Sequence, residues 1–276
     1  QMYTDFEDYG WSSGTYCQKI YQGYTTKVNK DVVISTWQSI YKMPRKYFDQ
    51  FGVVIGDEAH LFKAKSLTGI MTKMHNTKYR FGLTGTLDGT HTHKLVLEGL
   101  FGAVEKVVST KDLIDKNTLA QLKIKCIILK HSNIQRRMSY AQELDYIVSN
   151  KKRLDFTTSL LQHLRGNTLC LFQLVEKHGK SLFKELEGKE NVYFVYGGTD
   201  TSEREKIRGL VETHTNSVTI ASYGTFSTGI NIRNINNIVL ASPSKSKIRV
   251  LQSIGRGLRT SSSKDSVLIY DIADDI

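Results

Sequence analysis

Short β-rich apolar runs alternate with segments of helical period along this chain, and that alternation admits few folds. Runs at residues 32–36, 53–58, 79–84, 122–130, 168–173, 191–196, 218–222, 237–242 and 267–271 read as strands. Several are apolar almost throughout, the pattern of strands covered on both faces of a parallel sheet. Between them, Leu67, Ile70, Met71 and Met74 fall on one helix face. Leu154, Leu160, Leu161 and Leu164 mark a second helical segment, which Gly166 ends. Ser202 and Glu205 have capping-box spacing ahead of Ile207, Leu210 and Val211. Together these predict βαβ units in an α/β, doubly wound parallel sheet. The period lapses at residues 109–116, so two lobes are expected, residues 1–111 and 112–276. Few strands fall in the first lobe and the chain starts at Gln1 rather than Met. The first lobe is therefore expected to be truncated at its N-terminus.

The 276 residues carry a net charge of +11, with 39% hydrophobic and 24% charged side chains. That balance suits a globular protein with a polyanionic partner, nucleic acid being the usual one. Charge alone leaves open a basic protein with no such partner, and it does not separate DNA from RNA or an anionic membrane. Cys17, Cys126 and Cys170 are far apart and form no CxxC pair, which speaks against a disulfide framework or zinc site and for core cysteines in a reducing compartment. No apolar run is long enough to span a bilayer, and there is no signal-peptide pattern. A cytoplasmic location with no membrane partner is expected.

Val53-Val54-Ile55-Gly56-Asp57-Glu58-Ala59-His60 delivers two adjacent carboxylates and a histidine to the end of an apolar strand. That edge is where open α/β sheets bind ligands. One carboxylate suits a hydrated Mg²⁺, and the other suits a base or orienting group for water aimed at a γ-phosphate. The alternative is a solvated strand end followed by a helix cap. Tyr79-Arg80-Phe81-Gly82-Leu83-Thr84-Gly85-Thr86 again ends a strand in hydroxyls around a glycine. Thr84 and Thr86 are candidates to bond His60 or the acidic pair; the alternative is an ordinary turn.

In Gln252-Ser253-Ile254-Gly255-Arg256-Gly257-Leu258-Arg259, helical spacing puts Gln252, Arg256 and Arg259 on one face. Leu251, Ile254 and Leu258 share another, expected to pack on the sheet. Gly255 and Gly257 each cost about 1 kcal/mol in a helix, which suggests the close approach of a backbone or ligand. Two arginine forks suit a phosphate chain. Residues 242–264 hold six Lys/Arg and no acid, so a solvated basic face or a nucleic-acid patch fits as well.

Taken together and in this order, these motifs resemble the superfamily 2 helicases, across nearly the whole chain. Gly56-Asp57-Glu58-Ala59-His60 is similar to motif II of that family, Thr84-Gly85-Thr86 to motif III, Leu169-Cys170-Leu171-Phe172-Gln173 to motif IV, and the arginine segment to motif VI. Ala221-Ser222-Tyr223-Gly224-Thr225-Phe226-Ser227-Thr228-Gly229-Ile230-Asn231 resembles motif V, and Ile34-Ser35-Thr36-Trp37-Gln38-Ser39 resembles a strand-end motif that touches the DNA backbone. The texture is most similar to phage repair and recombination helicases that remodel branched DNA. The resemblance implies two RecA-like lobes with ATP and Mg²⁺ as cofactors. It implies Asp57 as the Mg²⁺ ligand, Glu58 as the catalytic base, and His60, Thr84, Gly85 and Thr86 as the coupling group. Gln252, Arg256 and Arg259 would complete the catalytic set, the two arginines as fingers reaching across the cleft. Gly229 and Asn231 would lie by the nucleotide, although many relatives carry aspartate at the latter position. Thr36, Phe172, Gly197, Gly198 and Ser222 would touch nucleic acid, single-stranded or branched DNA held mostly by its backbone.

Such enzymes need a Gly-rich loop ending in Gly-Lys-Ser/Thr upstream of the acidic pair. Nothing before Asp57 fits. Gly179-Lys180-Ser181 has Leu174 where the motif wants its first glycine and lies in a helix-like run, so it reads as a decoy. The expectation is an ATP-driven motor core, inactive on its own. The alternatives are a nucleic-acid-binding module without turnover and the motor subunit of a restriction-type enzyme.

Overall fold

The computed structural model describes residues 2–21, 23–85, 87, 91–132, 138–229, 232–260 and 264–276. The chain divides into two compact units, Gln1–Glu105 and Lys106–Ile276. Residues 106–111, expected in the first lobe, thus lie with the second. There the short helix Thr110–Asp115 carries a capping box in which Asp112 N donates to Ser109 Oγ (3.1 Å) and Ser109 N to Asp112 Oδ2 (3.0 Å).

The first unit holds two two-stranded parallel sheets. β1 (Cys17–Ile20) pairs with β2 (Val32–Ser35), from Cys17↔Val32 to Ile20↔Ser35. β1 was not expected, because its inner side chains are partly polar. Gln18 is buried yet satisfied, since its Nε2 donates to Lys27 O (2.6 Å) and its Oε1 accepts from Asn29 N (2.9 Å). β3 (Val53–Gly56) pairs with β4 (Tyr79–Gly82), ending at Gly56↔Gly82. The helix Lys65–Lys73 buries the expected stripe, Leu67, Ile70 and Met71, with Met74 at its cap. Phe48, Phe62 and Leu97 complete that core.

Gly56 and Gly82 are packing glycines. A Cβ on Gly56 would stand 2.8 Å from the Phe62 ring, and one on Gly82 would stand 2.9 Å from the Phe101 ring. These two rings meet edge to face at 5.1 Å and roof one face of β3 and β4. On the other face Val53, Ile55, Tyr79 and Phe81 are half exposed. Among the described residues, coverage on both faces, expected of such apolar strands, is therefore absent here.

It is present in the second unit, a six-stranded parallel sheet in the order β5-β10-β9-β6-β8-β7. The strands are β5 (Gln121–Lys130), β6 (Thr168–Phe172), β7 (Val192–Val195), β8 (Val218–Ser222), β9 (Asn237–Leu240) and β10 (Ser266–Asp275). Every residue of β6 and β9 is buried. Leu169 and Leu171 point into a core that includes Val211, Phe226 and Leu258, whereas Cys170 and Phe172 enter a second core with Leu161 and Leu182. This two-sided alternation makes the sheet doubly wound, with helices on both faces. Cys17 and Cys170 are core residues as expected, but Cys126, on the edge strand β5, is exposed.

The helix Lys151–His163 ends before Gly166, with Leu164 as its cap. The expected capping box at Ser202 and Glu205 does not form. The helix is Thr201–Thr213 with Asp200 at its N-cap, and Glu205 instead pairs with Arg208 at 2.8 Å. β10 runs on past Asp271 in register with β5 as far as Asp275↔Lys130, and there Asp274 has a buried partner. Arg153 Nε donates to Asp274 Oδ1 and Oδ2 (2.9 and 3.0 Å) and its Nη1 to Ala241 O (2.7 Å), while His131 Nε2 lies 2.8 Å from Asp274 Oδ1. Four elements are joined at one edge by this group.

Arg153→Leu leaves the Asp274 carboxylate buried without its fork, a change that costs about 3–5 kcal/mol. Urea unfolding followed by circular dichroism measures it. The double variant with Asp274→Leu should lose less than the two single variants combined. Additive losses would show that the pair is not coupled.

Candidate functional site

Parallel pairing brings the ends of β3 and β4 to one edge. Leu83 N donates to Gly56 O and Ala59 N to Leu83 O, both at 2.8 Å, so the two exits are stitched together. Asp57 leaves β3 exposed, and its Oδ1 accepts the Glu58 amide at 2.8 Å. Glu58 sits in the left-handed region (φ 48°, ψ 49°) as the cap of the turn Ala59–Lys63. That backbone is strained for a residue with a side chain, and such strain gathers at functional sites. His60 is folded under the turn, only 8% exposed, with Nδ1 3.0 Å from Thr84 Oγ1 and 3.4 Å from Glu58 Oε2. One imidazole nitrogen thus faces both the acid and the next strand end, a geometry that links the carboxylate to β4. Gly85 follows, exposed. Thr86 lies outside the described residues.

In the second unit the strand ends gather in the same way. Ser222 ends β8, and its Oγ lies 2.8 Å from Thr225 Oγ1 in the first turn of the helix Tyr223–Gly229. Gly229 is the last residue of that helix, and Asn231 lies outside the described residues. Gly197 and Gly198 form an exposed turn after β7. Arg204 Nη2 clamps that turn from beneath, on Gly197 O (2.9 Å) and Tyr196 O (3.3 Å). Nothing in the local pattern marked Arg204, because its partners are main-chain carbonyls.

Phe172, Arg259, Leu251 and Gly255 depart from what the sequence led one to expect. Phe172 is fully buried, stacked on Phe194 at 5.5 Å, and is not available to nucleic acid. Its position alternates with Leu171, and in a sheet covered on both sides each alternative faces a core. Arg259, moreover, is not on the arginine helix. That helix spans Lys247–Gly257, is capped by Leu258, and leaves Arg259 exposed in an antiparallel bridge with Leu119. Gln252 and Arg256 remain on the helix, half-buried. Leu258 is buried and Ile254 packs on the core, whereas Leu251 is exposed. A Cβ on Gly257 would come within 2.4 Å of Ile238 Cδ1, so the close neighbour there is a β9 side chain, and Gly255 faces open space.

The end of the arginine helix is held by Lys264, which sequence reasoning passed over. Its buried ammonium donates to the carbonyls of Gly257 (2.5 Å), Arg259 (2.8 Å) and Arg233 (3.0 Å). Burial lowers its pKa to about 8. Gly179 of the Gly-Lys-Ser tripeptide has a helical backbone, and a Cβ there would lie 2.5 Å from the Phe172 ring. It is a packing glycine between two helical segments. Beside it His178 Nδ1 lies 2.7 Å from Ser242 Oγ, and burial, then the Arg153 charge, pushes its pKa down to about 3.

Comparison with known proteins fits this arrangement. Residues 1–89 match the family model of the type III restriction enzyme res subunit, and residues 151–261 match the helicase conserved C-terminal domain. The ATP-dependent DNA helicase uvsW of Enterobacteria phage T4 is 35% identical over 99% of this chain and 57% of its own length. A fragment assigned to the HsdR subunit of a type I restriction enzyme from Vibrio vulnificus YJ016 superposes with a TM-score of 0.70 at 19% identity, covering 93% of this chain and 50% of that one. Dbp5 of S. cerevisiae, bound to RNA and ADP BeF3, superposes with a TM-score of 0.61 at 14% identity over 95% of this chain and 65% of that one. The last two likenesses concern the fold, which is that of RecA-like helicase domains. The chain spans about half the length of the curated relatives it matches. With both family-model matches and that identity over almost all its residues, the chain belongs to the superfamily 2 helicases.

Proposed function

We propose that this chain forms the motor core of an ATP-dependent DNA helicase or translocase that acts on single-stranded or branched DNA in repair or recombination. The observation that carries the reading is the group Glu58, His60 and Thr84 at the joined ends of β3 and β4. A base for water needs a carboxylate held in one orientation, and a motor needs that carboxylate tied to an element that can report the reaction. His60 does both by facing Glu58 and Thr84 through one nitrogen. Gly85 and Thr86 would extend that coupling.

Asp57 would hold Mg²⁺. Its exposed carboxylate spends one oxygen on the Glu58 amide and keeps the other for a water shell, the donor that a hydrated magnesium ion takes. When bound, the ion offsets phosphate charge. Glu58 takes the proton of the attacking water. The resemblance assigns Arg256 and Arg259 to the charge that develops on a transferred phosphoryl group, Gln252 to the catalytic set, and Gly229 and Asn231 to the nucleotide. Thr36, Ser222, Gly197 and Gly198 offer hydroxyls and exposed main chain to the nucleic-acid backbone. The relative's printed activity, an ATP-dependent DNA helicase, favours DNA over RNA.

A restriction-type motor is the second reading, favoured by the family match over residues 1–89 and by the HsdR likeness in fold. It requires the same chemistry and differs in whether cleavage accompanies it. Nicked or cut duplex after incubation with ATP would select it.

Gly179-Lys180-Ser181 lies in helix, and no other Gly-Lys-Ser/Thr occurs in the chain. The purified chain should therefore hydrolyse ATP at least about a hundredfold more slowly than the ~10 s⁻¹ typical of enzymes. Release of phosphate at helicase-like rates would refute this. In any form of the protein that turns over, Glu58→Gln should lower kcat by about 10²–10⁴ and leave DNA affinity within about twofold. Turnover that survives the change would favour a binding module over a motor. The net charge of +11 also predicts that affinity for single strands falls at least about tenfold between 50 and 200 mM salt, and proposed contacts to the backbone predict little dependence on base sequence. Affinity that ignores ionic strength in a titration would count against it.

A further inference from the structure

We propose that Tyr21, Tyr24 and Trp37 form a base-stacking platform for unpaired nucleic acid at the C-terminal edge of β1 and β2. The inference rests on the nucleic-acid reading above and adds to it a contact with bases, where that reading has contacts with the backbone.

The topology makes the platform. β1 and β2 end in register at Ile20↔Ser35, and Thr36 N donates to Ile20 O at 3.3 Å. Tyr21 and the Thr36-Trp37 pair therefore leave the same edge, from strands about 4.8 Å apart. Tyr21, Tyr24 and Trp37 are 39%, 50% and 38% exposed, so none is spent on the core of Phe48, Phe62 and Met71. The two tyrosines are close partners, with ring centroids 4.2 Å apart, and Tyr24 N donates to Tyr21 O at 2.9 Å. Trp37 is braced edge-on by Tyr41 at 5.7 Å, and the Lys42 ammonium lies 5.6 Å from the Tyr41 ring. Rings held this way lose little freedom when a base settles on them.

Two observations select nucleic acid over a protein partner. Among the described residues between 17 and 52, every exposed large hydrophobic side chain is one of these three rings, and none is aliphatic. A protein-binding patch would not need that restriction; stacking does, since only π-faces serve it. Residues 30–49 also carry Lys30, Lys42, Arg45 and Lys46 against Asp31 and Asp49, a net positive stretch that favours phosphate near Trp37. Thr36, the proposed backbone contact, is the neighbour of Trp37, which places a phosphate ligand and a base platform side by side.

The test uses the whole chain with Trp11→Phe, so that Trp37 is the one remaining indole. Its fluorescence is followed on titration with a short oligothymidylate and with an abasic strand of equal length, which has the phosphates without the bases. Quenching by oligothymidylate and a much weaker response to the abasic strand are expected. Binding of the same strands to variants in a background that retains Trp11 is read by anisotropy of a labelled oligonucleotide. There Trp37→Ala, and Tyr21→Ala with Tyr24→Ala, should each weaken oligothymidylate at least about fivefold and leave the abasic strand unchanged, while Trp37→Phe restores binding to within about twofold. Equal losses on both strands, or none, would overturn the platform, as would Trp37→Phe behaving like Trp37→Ala. Dissociation of a dimer by Trp37→Ala with unchanged DNA affinity would assign the rings to self-association instead. Failure of the unmutated chain to bind either strand would sink the nucleic-acid reading itself.

Discussion

The pairing of β3 with β4 is the constraint on which the candidate site depends. Gly56 lies opposite Gly82, and the rings of Phe62 and Phe101 occupy the space that Cβ atoms would need. With that register fixed, Leu83 bonds back to Gly56 and Ala59 to Leu83. The turn after β3 has little room left, and Glu58 adopts a left-handed backbone that no glycine is there to ease. The same turn drives His60 under the strand ends against Thr84. Core packing of two phenylalanines thus sets, through the backbone, where a carboxylate and an imidazole stand.

The strand ends carrying these groups were legible in the sequence because each follows an apolar run and ends in residues that serve no packing purpose. The stripe of Leu67, Ile70 and Met71 was legible for the same reason, as one period persisted over two turns. β1 was hidden because Gln18 spends a buried amide on a loop, and a polar residue breaks the apolar pattern even where it is satisfied. Phe172 was misplaced because a strand buried on both faces gives no sign of which residue faces outward; here none does. Arg259 was misplaced because it lies two residues beyond the last residue of the helix. Spacing continues a helical face past the residue where the helix stops, and the stop depends on Leu258 turning inward and on Lys264, whose reach across five residues no local pattern announces. Gly257 shows the converse error, whereas Gly179 was read correctly as a decoy. Both resemble glycines kept for a ligand, and both are small because Phe172 and Ile238 lie against them.

Basic side chains serve two purposes here, and only one of them is recognition. Arg153 spends its donors on Asp274, Ala241 and Ile272, and Arg204 spends Nη2 on the main chain of Tyr196 and Gly197. Lys73 holds the carbonyls of Tyr41 and Met43, and Lys264 holds those of Gly257, Arg259 and Arg233. These cations act as internal clamps on carbonyls at strand and helix ends, where the ladder of main-chain bonds runs out. They still contribute to the field of a chain with net charge +11, but they do not displace counterions by touching phosphate. The charge therefore overstates the number of direct phosphate contacts. What the strand ends offer instead is small and neutral: the hydroxyls of Thr36 and Ser222 and the exposed turn at Gly197 and Gly198. In the proposed motor, weak contacts of this kind would let each phosphate be released as readily as it is taken. In that reading, rigid arginine forks would serve the reacting phosphates, where charge changes sharply and tight holding helps in the transition state rather than before it.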